Sequence, residues 1–206
     1  MDLTIERIQL GRCQAVAFDQ GAVSWAIVLP GAGYTAQAPL LWYARRAAME
    51  AGRSVIVVTD AFDRQSDDPI RWVEDRVEAT LSHVRAHDAQ PLLIAKSLTS
   101  LAARLAAAER LPAVWLTPLI ADQESEVAAE VLAGLRSGTA PRLVVGGSED
   151  PSWDRRVASA LSNAQILELP GADHSLEVPD DVTRSLDNLK RVTEAVGRFA
   201  RALHGA

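Results

Sequence analysis

Short, unbroken apolar runs alternate along this chain with stretches whose apolar positions recur every three or four residues. The runs Trp25-Ala26-Ile27-Val28-Leu29, Ser54-Val55-Ile56-Val57-Val58, Leu92-Leu93-Ile94-Ala95, Pro112-Ala113-Val114-Trp115-Leu116, Arg142-Leu143-Val144-Val145 and Gln165-Ile166-Leu167-Glu168-Leu169 read as strands. Those without a polar position suit strands covered on both faces. Between them the periodicity predicts helices from about Pro39 to the Ala51-Gly52 stop, from Ile70 to about Ala86, from Glu124 to Leu135, and a short one around Trp153 to Leu161. A long final helix carries the seam Val182, Leu186, Leu189, Val192, Val196, Phe199 and Leu203. Residues 3 to 18 alternate instead, with a break at Gly11-Arg12, which predicts two strands joined by a tight turn. Strand and helix then alternate from Trp25 to the end. This rhythm predicts an α/β fold with a mainly parallel sheet and helices on both faces.

The stretch Pro91 to Ala102 carries the first chemical signal. Its apolar strand runs into Ala95-Lys96-Ser97 and then into Leu98, Leu101, Ala102 and Leu105 at helical spacing, which places Ser97 at the apex of a strand–turn–helix unit. A serine at such a turn projects its hydroxyl out of the sheet beside free backbone N–H groups, the arrangement of a nucleophile elbow. The usual G-x-S-x-G signature is altered here to Ala95-Lys96-Ser97-Leu98-Thr99, with both glycines replaced. The bland alternative is a serine that caps the helix after a buried strand. Lys96 is expected to be solvated or salt-bridged.

In an open parallel sheet the loops at the carboxyl ends of the strands gather into one region. Along this chain those loops hold Pro30-Gly31-Ala32-Gly33, then Ser97, then Asp150 in Gly146-Gly147-Ser148-Glu149-Asp150-Pro151, then His174 in Gly171-Ala172-Asp173-His174. Serine, acid and histidine in that order, each after a strand, resemble the triad of the α/β-hydrolase family. The resemblance covers nearly the whole chain. Two opening strands and six later ones match that family's eight-stranded sheet, and connections too short for an inserted domain are similar to those of its small, capless members.

The resemblance implies a Ser97 nucleophile, a His174 base and an Asp150 orienting acid, with the backbone N–H groups of Ala32 and Leu98 as an oxyanion hole. Gly31, Gly33 and Tyr34 are the candidate substrate contacts. Glu149, Asp154 and Asp173 compete with Asp150 for the acid's place. Asp150 fits the glycine-rich turn best. Trp42, Tyr43 and Trp72 are read as packing residues.

Composition narrows the field further. The chain has 206 residues, 48% hydrophobic and 23% charged, which fits a single folded domain over residues 1–206. Its net charge of -6, with both signs interspersed, argues against nucleic acid or an acidic membrane surface as partner. Cys13 is the only cysteine, so no internal disulfide can form. Among the four histidines, His83 and His87 stand at i, i+4 but lack a third ligand, and neither His174 nor His204 has zinc spacing. No cofactor or metal is therefore expected. A start without an apolar signal region and the lack of any long apolar run predict a cytoplasmic protein.

The function expected is that of a serine hydrolase acting on a small carboxylic ester or related acyl compound. Two rivals stand beside it. Thr99, bulkier than glycine beside the nucleophile, leaves open a hydrolase fold that has lost catalysis and serves as a binding or scaffolding protein. Gly31-Ala32-Gly33-Tyr34-Thr35-Ala36 also satisfies G-x-G-x-x-A after a strand, and Asp60 ends the next strand at about the distance of a ribose-binding acid. Against that dinucleotide reading stands Pro39, which would break the first turns of the helix it requires.

Overall fold

Runs without a polar position can be buried only where both faces of a sheet are covered, and the chain places them there. The computed structural model describes residues 3–88, 91–122 and 124–203. β1 (Thr4–Leu10) and β2 (Cys13–Asp19) form an antiparallel hairpin turned at Gly11, whose φ of 60° suits glycine. The chain continues through β3 (Trp25–Leu29), α1 (Pro39–Glu50), β4 (Ser54–Val58), α2 (Pro69–Val84) and β5 (Leu92–Lys96). A 3-10 segment over Ser97–Ala102 runs into α3 (Ala103–Ala108), followed by β6 (Ala113–Leu116), α4 (Glu126–Ser137), β7 (Arg142–Gly147), α5 (Arg155–Ser159), β8 (Ala164–Leu169) and α6 (Val182–Ala202).

All eight strands join in one sheet with the order β1-β2-β4-β3-β5-β6-β7-β8. β2 meets β4 antiparallel, and every pair from β4 across to β8 is parallel. β4 and β5 flank β3 on opposite sides, so the strand order reverses there and the loops after β3 and β5 open a crevice between them. The connections after β4, β5 and β6 carry only α2, the 3-10 segment with α3, and α4. Among the described residues no further element caps that edge.

Alternate residues of the central strands feed two apolar layers. Ile27, Leu29, Ile56, Leu93, Trp115 and Val144 face α2, α3 and α4 through Val73, Val77, Ala106, Val131 and Leu135. Ala26, Val28, Val55, Ile94, Val114 and Val145 face α1 and α6 through Leu41, Ala44, Ala48, Val192, Val196 and Phe199. Each large side chain so buried contributes about 1.5–3 kcal/mol, which outweighs helix propensity in holding the helices.

The predicted seam of α6 holds only in part. Val192, Val196 and Phe199 are buried, whereas Val182 and Leu186 are 75% and 60% exposed. The first turns of α6 run beside the loop 173–181 and line a cavity of about 400 Å³ with Tyr34, Leu40 and Leu176. Helix starts also shift. α4 begins two residues late because the N–H groups of Glu124 and Ser125 bond back to Asp122 in a turn, and α5 starts at Arg155 because the Asp154 carboxylate accepts from the N–H groups of Arg156 and Val157. Among the described residues no helix is long and apolar enough to cross a membrane.

Candidate active site

The strand ends converge as the topology requires. Ser97 follows β5 directly with φ at 54°, the left-handed region that a non-glycine residue occupies at a cost of about 1–2 kcal/mol. That strained turn carries the hydroxyl to within 2.8 Å of His174 Nε2. The other ring nitrogen, Nδ1, stands 2.9 Å from each oxygen of the Asp150 carboxylate, whose side chain is fully buried. Asp150 Oδ1 also accepts from the Ser152 N–H at 2.8 Å, so the carboxylate is fixed before the imidazole reaches it.

The turns after β7 and β8 hold each other. The N–H of Ser148 donates to the Leu169 carbonyl, that of Glu149 to Ala172, and that of Gly171 to Ser148 Oγ. Gly147 is required there, since a Cβ on it would overlap the Ala172 carbonyl. The rival acids have other duties. Asp154 caps α5, Asp173 accepts from the N–H groups of Ser175 and Glu177, and Glu149 is exposed.

Thr99 does not displace the elbow. It is 1% exposed, its Oγ1 accepts from the Lys96 N–H at 3.0 Å, and its proton lies between the carbonyls of Lys96 at 3.0 Å and Leu29 at 3.1 Å. The hydroxyl thus ties the turn to the end of β3, where a glycine would only have allowed close approach. Ser100 adds a second tie, donating to the Ser97 carbonyl at 2.6 Å and accepting from the Leu119 N–H at 3.3 Å. The segment after Ser97 is 3-10 and not α-helical, tightened by these side-chain bonds.

Ala32 and Leu98 line one cavity of about 580 Å³ together with Ser97 and His174. Phe62, Leu119, Ile120 and Val127 give it apolar walls, and Arg64, Asp67 and Asp122 supply its charged groups. The wall that carries Phe62, Arg64 and Asp67 is the segment 60–68. Its hydrogen bonds run within itself through Asp63 and Asp67, and at its ends Asp60 accepts from the Gln14 N–H and from Arg76 while Asp68 accepts from the N–H groups of Arg71 and Trp72.

The candidate substrate contacts separate. Gly31 stands against the elbow, with the Lys96 carbonyl and Ser97 Cβ each 3.3 Å from where its own Cβ would lie. Gly33 turns the loop at φ 75°, and the main chains of Gly31 and Tyr34 bond to each other. Tyr34 lines the second cavity beside α6 and not the one that holds Ser97. Its hydroxyl accepts from the Leu40 N–H at 3.1 Å, and burial pushes its pKa up.

Sequence reasoning missed Lys96. Expected in solvent, it is 1% exposed, with Nζ donating to Thr117 Oγ1 and to the His174 carbonyl, each at 3.0 Å. Only the apolar neighbours of the strand, Ile94 and Ala95, hinted that the next side chain would be enclosed. The dinucleotide reading loses its parts as well. α1 begins at Pro39, well beyond Gly33, and the Asp60 carboxylate is engaged by the Gln14 N–H and by Arg76 at 3.2 Å. His87 packs against Trp25 with ring centroids 5.6 Å apart, and among the described residues no group of three His, Cys, Asp or Glu side chains could hold a metal. His204 lies outside the described residues.

No protein-family model matches the chain, and no curated protein matches it in sequence. Solved structures do. Est1E from Butyrivibrio proteoclasticus is 15% identical, with 98% of this chain and 99% of that chain covered at a TM-score of 0.74. Dienelactone hydrolase from Anabaena variabilis is 16% identical, with 96% of each chain covered and a TM-score of 0.73. An α/β serine hydrolase without a lid from Xanthomonas campestris is 17% identical, with 98% and 95% covered at 0.72. The chain has the α/β-hydrolase fold in a form without a cap.

Proposed function

We propose that this protein is a serine hydrolase that cleaves a small carboxylic ester or related acyl substrate through an acyl-enzyme on Ser97. The observation that carries this reading is the unbroken relay from Ser97 Oγ through His174 to Asp150, at 2.8 and 2.9 Å, opening onto a cavity with apolar walls. A buried carboxylate on one imidazole nitrogen and a strained serine on the other have no purpose in packing.

Ser97 Oγ attacks the acyl carbon while its proton passes to His174 Nε2. The imidazolium formed is stabilised by Asp150, which holds Nδ1–H in the tautomer that leaves Nε2 free to accept. As the tetrahedral intermediate collapses, the proton moves from Nε2 to the departing oxygen and the alcohol leaves. Water then gives a proton to Nε2 as it attacks the acyl carbon, and when this second tetrahedral intermediate collapses the bond from carbon to Ser97 Oγ breaks, Nε2 returns the proton to Oγ, and the acid departs. The oxyanion in both steps is received by the N–H groups of Leu98 and Ala32, each worth roughly 3 kcal/mol in the transition state. The triad's own atoms carry every proton and the one covalent bond.

The walls formed by Phe62, Leu119, Ile120 and Val127 favour an apolar acyl or alkyl group, and the open site without a cap admits substrates from short acyl esters to an acyl group on a larger carrier. One similar structure, Est1E, holds bound ferulic acid, so aryl-acyl esters belong in the substrate panel beside short alkyl esters. The deciding experiment is labelling with a fluorophosphonate, read by intact mass and peptide mapping. Single labelling at Ser97, lost in Ser97→Ala, is the expected result. A folded protein that takes up no label sinks the reading and leaves a scaffold on a hydrolase fold.

A further inference from the structure

The chemistry above leaves Lys96 unused, though at 1% exposure it is more deeply buried than Arg53, Arg142 or Asp150. Lys96 ends β5, immediately before the nucleophile, and its partners lie on three other strand-end loops. The ammonium donates to Thr117 Oγ1 after β6 and to the His174 carbonyl after β8, and it lies 4.6 Å from the centroid of the Tyr34 ring after β3. Thr117 is itself held at φ 46°, an unusual conformation for a β-branched residue. Burial pushes the lysine pKa down to about 8, against the opposing pull of the Asp150 and Asp173 charges. An ammonium with a hydroxyl, a carbonyl and a ring for direct partners is an expensive way to fill space that a methionine could fill.

Two consecutive residues of one turn thus grip the same histidine. Ser97 meets His174 at the ring, through Nε2, and Lys96 meets it at the main chain, through the carbonyl. We propose that Lys96 is a positioning residue for His174, fixing its backbone to the elbow so that the imidazole stays within reach of both Ser97 and Asp150. This rests on the triad reading. A lysine kept for packing is missed in stability when removed. One kept for positioning is missed in rate, while the fold gains from losing a buried charge.

The test compares wild type with Lys96→Met and Lys96→Gln. Lys96→Met should melt at the same temperature as wild type or higher and react with fluorophosphonate at least tenfold more slowly. Its kcat on an ester should fall by a similar factor with KM within threefold. In proton NMR, the low-field resonance of the His174 Nδ1–H bonded to Asp150 should be present in wild type and lost in the variant. Should Lys96→Met not fold, Lys96→Gln, neutral and too short to reach the carbonyl, carries the same expectations.

A folded variant that labels and turns over like wild type overturns the proposal. If wild type takes no label, the hydrolase reading has failed, and the resonance alone decides the positioning role. Its loss in the variant supports that role; its persistence there, or its absence in wild type, overturns it.

Discussion

Replacing Thr99 by Val removes one oxygen from the elbow and keeps the side chain's shape. Three hydrogen bonds involve that oxygen: one accepted from the Lys96 N–H, and one proton shared between the carbonyls of Leu29 and Lys96. At 1% exposure no water can replace them. Leaving the Lys96 N–H without an acceptor costs about 1–3 kcal/mol, and the carbonyls lose less because each keeps a second lone pair for other partners. The added methyl returns about 0.8 kcal/mol of burial. The net expectation is a loss of about 1–2 kcal/mol, equivalent to about 2–8 °C in melting temperature for a chain of this size.

Urea denaturation measures it, with the slope unchanged and only the midpoint moved. Because the same oxygen anchors the turn that presents Ser97, fluorophosphonate labelling should slow about tenfold, the scale on which small misplacements act. Thr99→Ser keeps the oxygen and should stay close to wild type in both assays. Thr99→Gly restores the commoner elbow residue but removes the anchor, and should lower activity. A Thr99→Val protein within 0.5 kcal/mol of wild type and labelled at the same rate refutes the reasoning: the 3-10 backbone alone would then hold the elbow.

Three further expectations follow from the geometry. Ser97→Ala and His174→Ala should each cut ester turnover by at least about 10³-fold while circular dichroism stays unchanged, and Ser97→Gly should exceed Ser97→Ala in stability by about 0.5–1 kcal/mol, because only glycine relieves the positive φ. Gly147→Ala places a methyl against the Ala172 carbonyl, so the melting temperature should drop by several degrees and labelling of Ser97 should fall with it; an unchanged enzyme would mean the turns after β7 and β8 can separate freely. With a folded-state pKa of about 8 against an ordinary 10.5, Lys96 binds fewer protons folded than unfolded in that window, so its contribution raises stability as pH climbs from about 8 to 10.5. Cys13 acts oppositely above pH 9, its thiol being pushed up to about 12, so the Lys96 effect is read as the difference in urea midpoint between wild type and Lys96→Met across pH 8 to 10, and a constant difference would contradict it.

The strands were legible because the signal for them is local. The five-residue runs at Trp25 and Ser54 coincide with β3 and β4 residue for residue, since a run buried on both faces needs no partner to be recognised. Ser97, Asp150 and His174 were legible for a related reason, their places at strand ends being fixed by topology. What was hidden depends on contacts far along the chain. Lys96 is buried only because Thr117 and His174 arrive from β6 and β8, and Tyr34 faces α6 only because that helix packs beside α1. The exposed start of α6 has the same origin: its apolar spacing is regular, but no sheet lies beneath Val182 and Leu186. Thr99 was misjudged by size, when its hydroxyl was the property that mattered.

The segment 60–68 folds largely upon itself, yet supplies Phe62, Arg64 and Asp67 to the wall of the Ser97 cavity. Chemistry and selectivity are therefore housed in separable pieces. The relay is built from the turns after β5, β7 and β8, while Phe62, Arg64 and Asp67 come from a loop outside those turns, joined to the scaffold near Asp60 and Pro69. For a designer, that loop is a cartridge: on the proposed serine-hydrolase reading, new acyl preferences can be selected there while the Ser97–His174–Asp150 geometry is left in place.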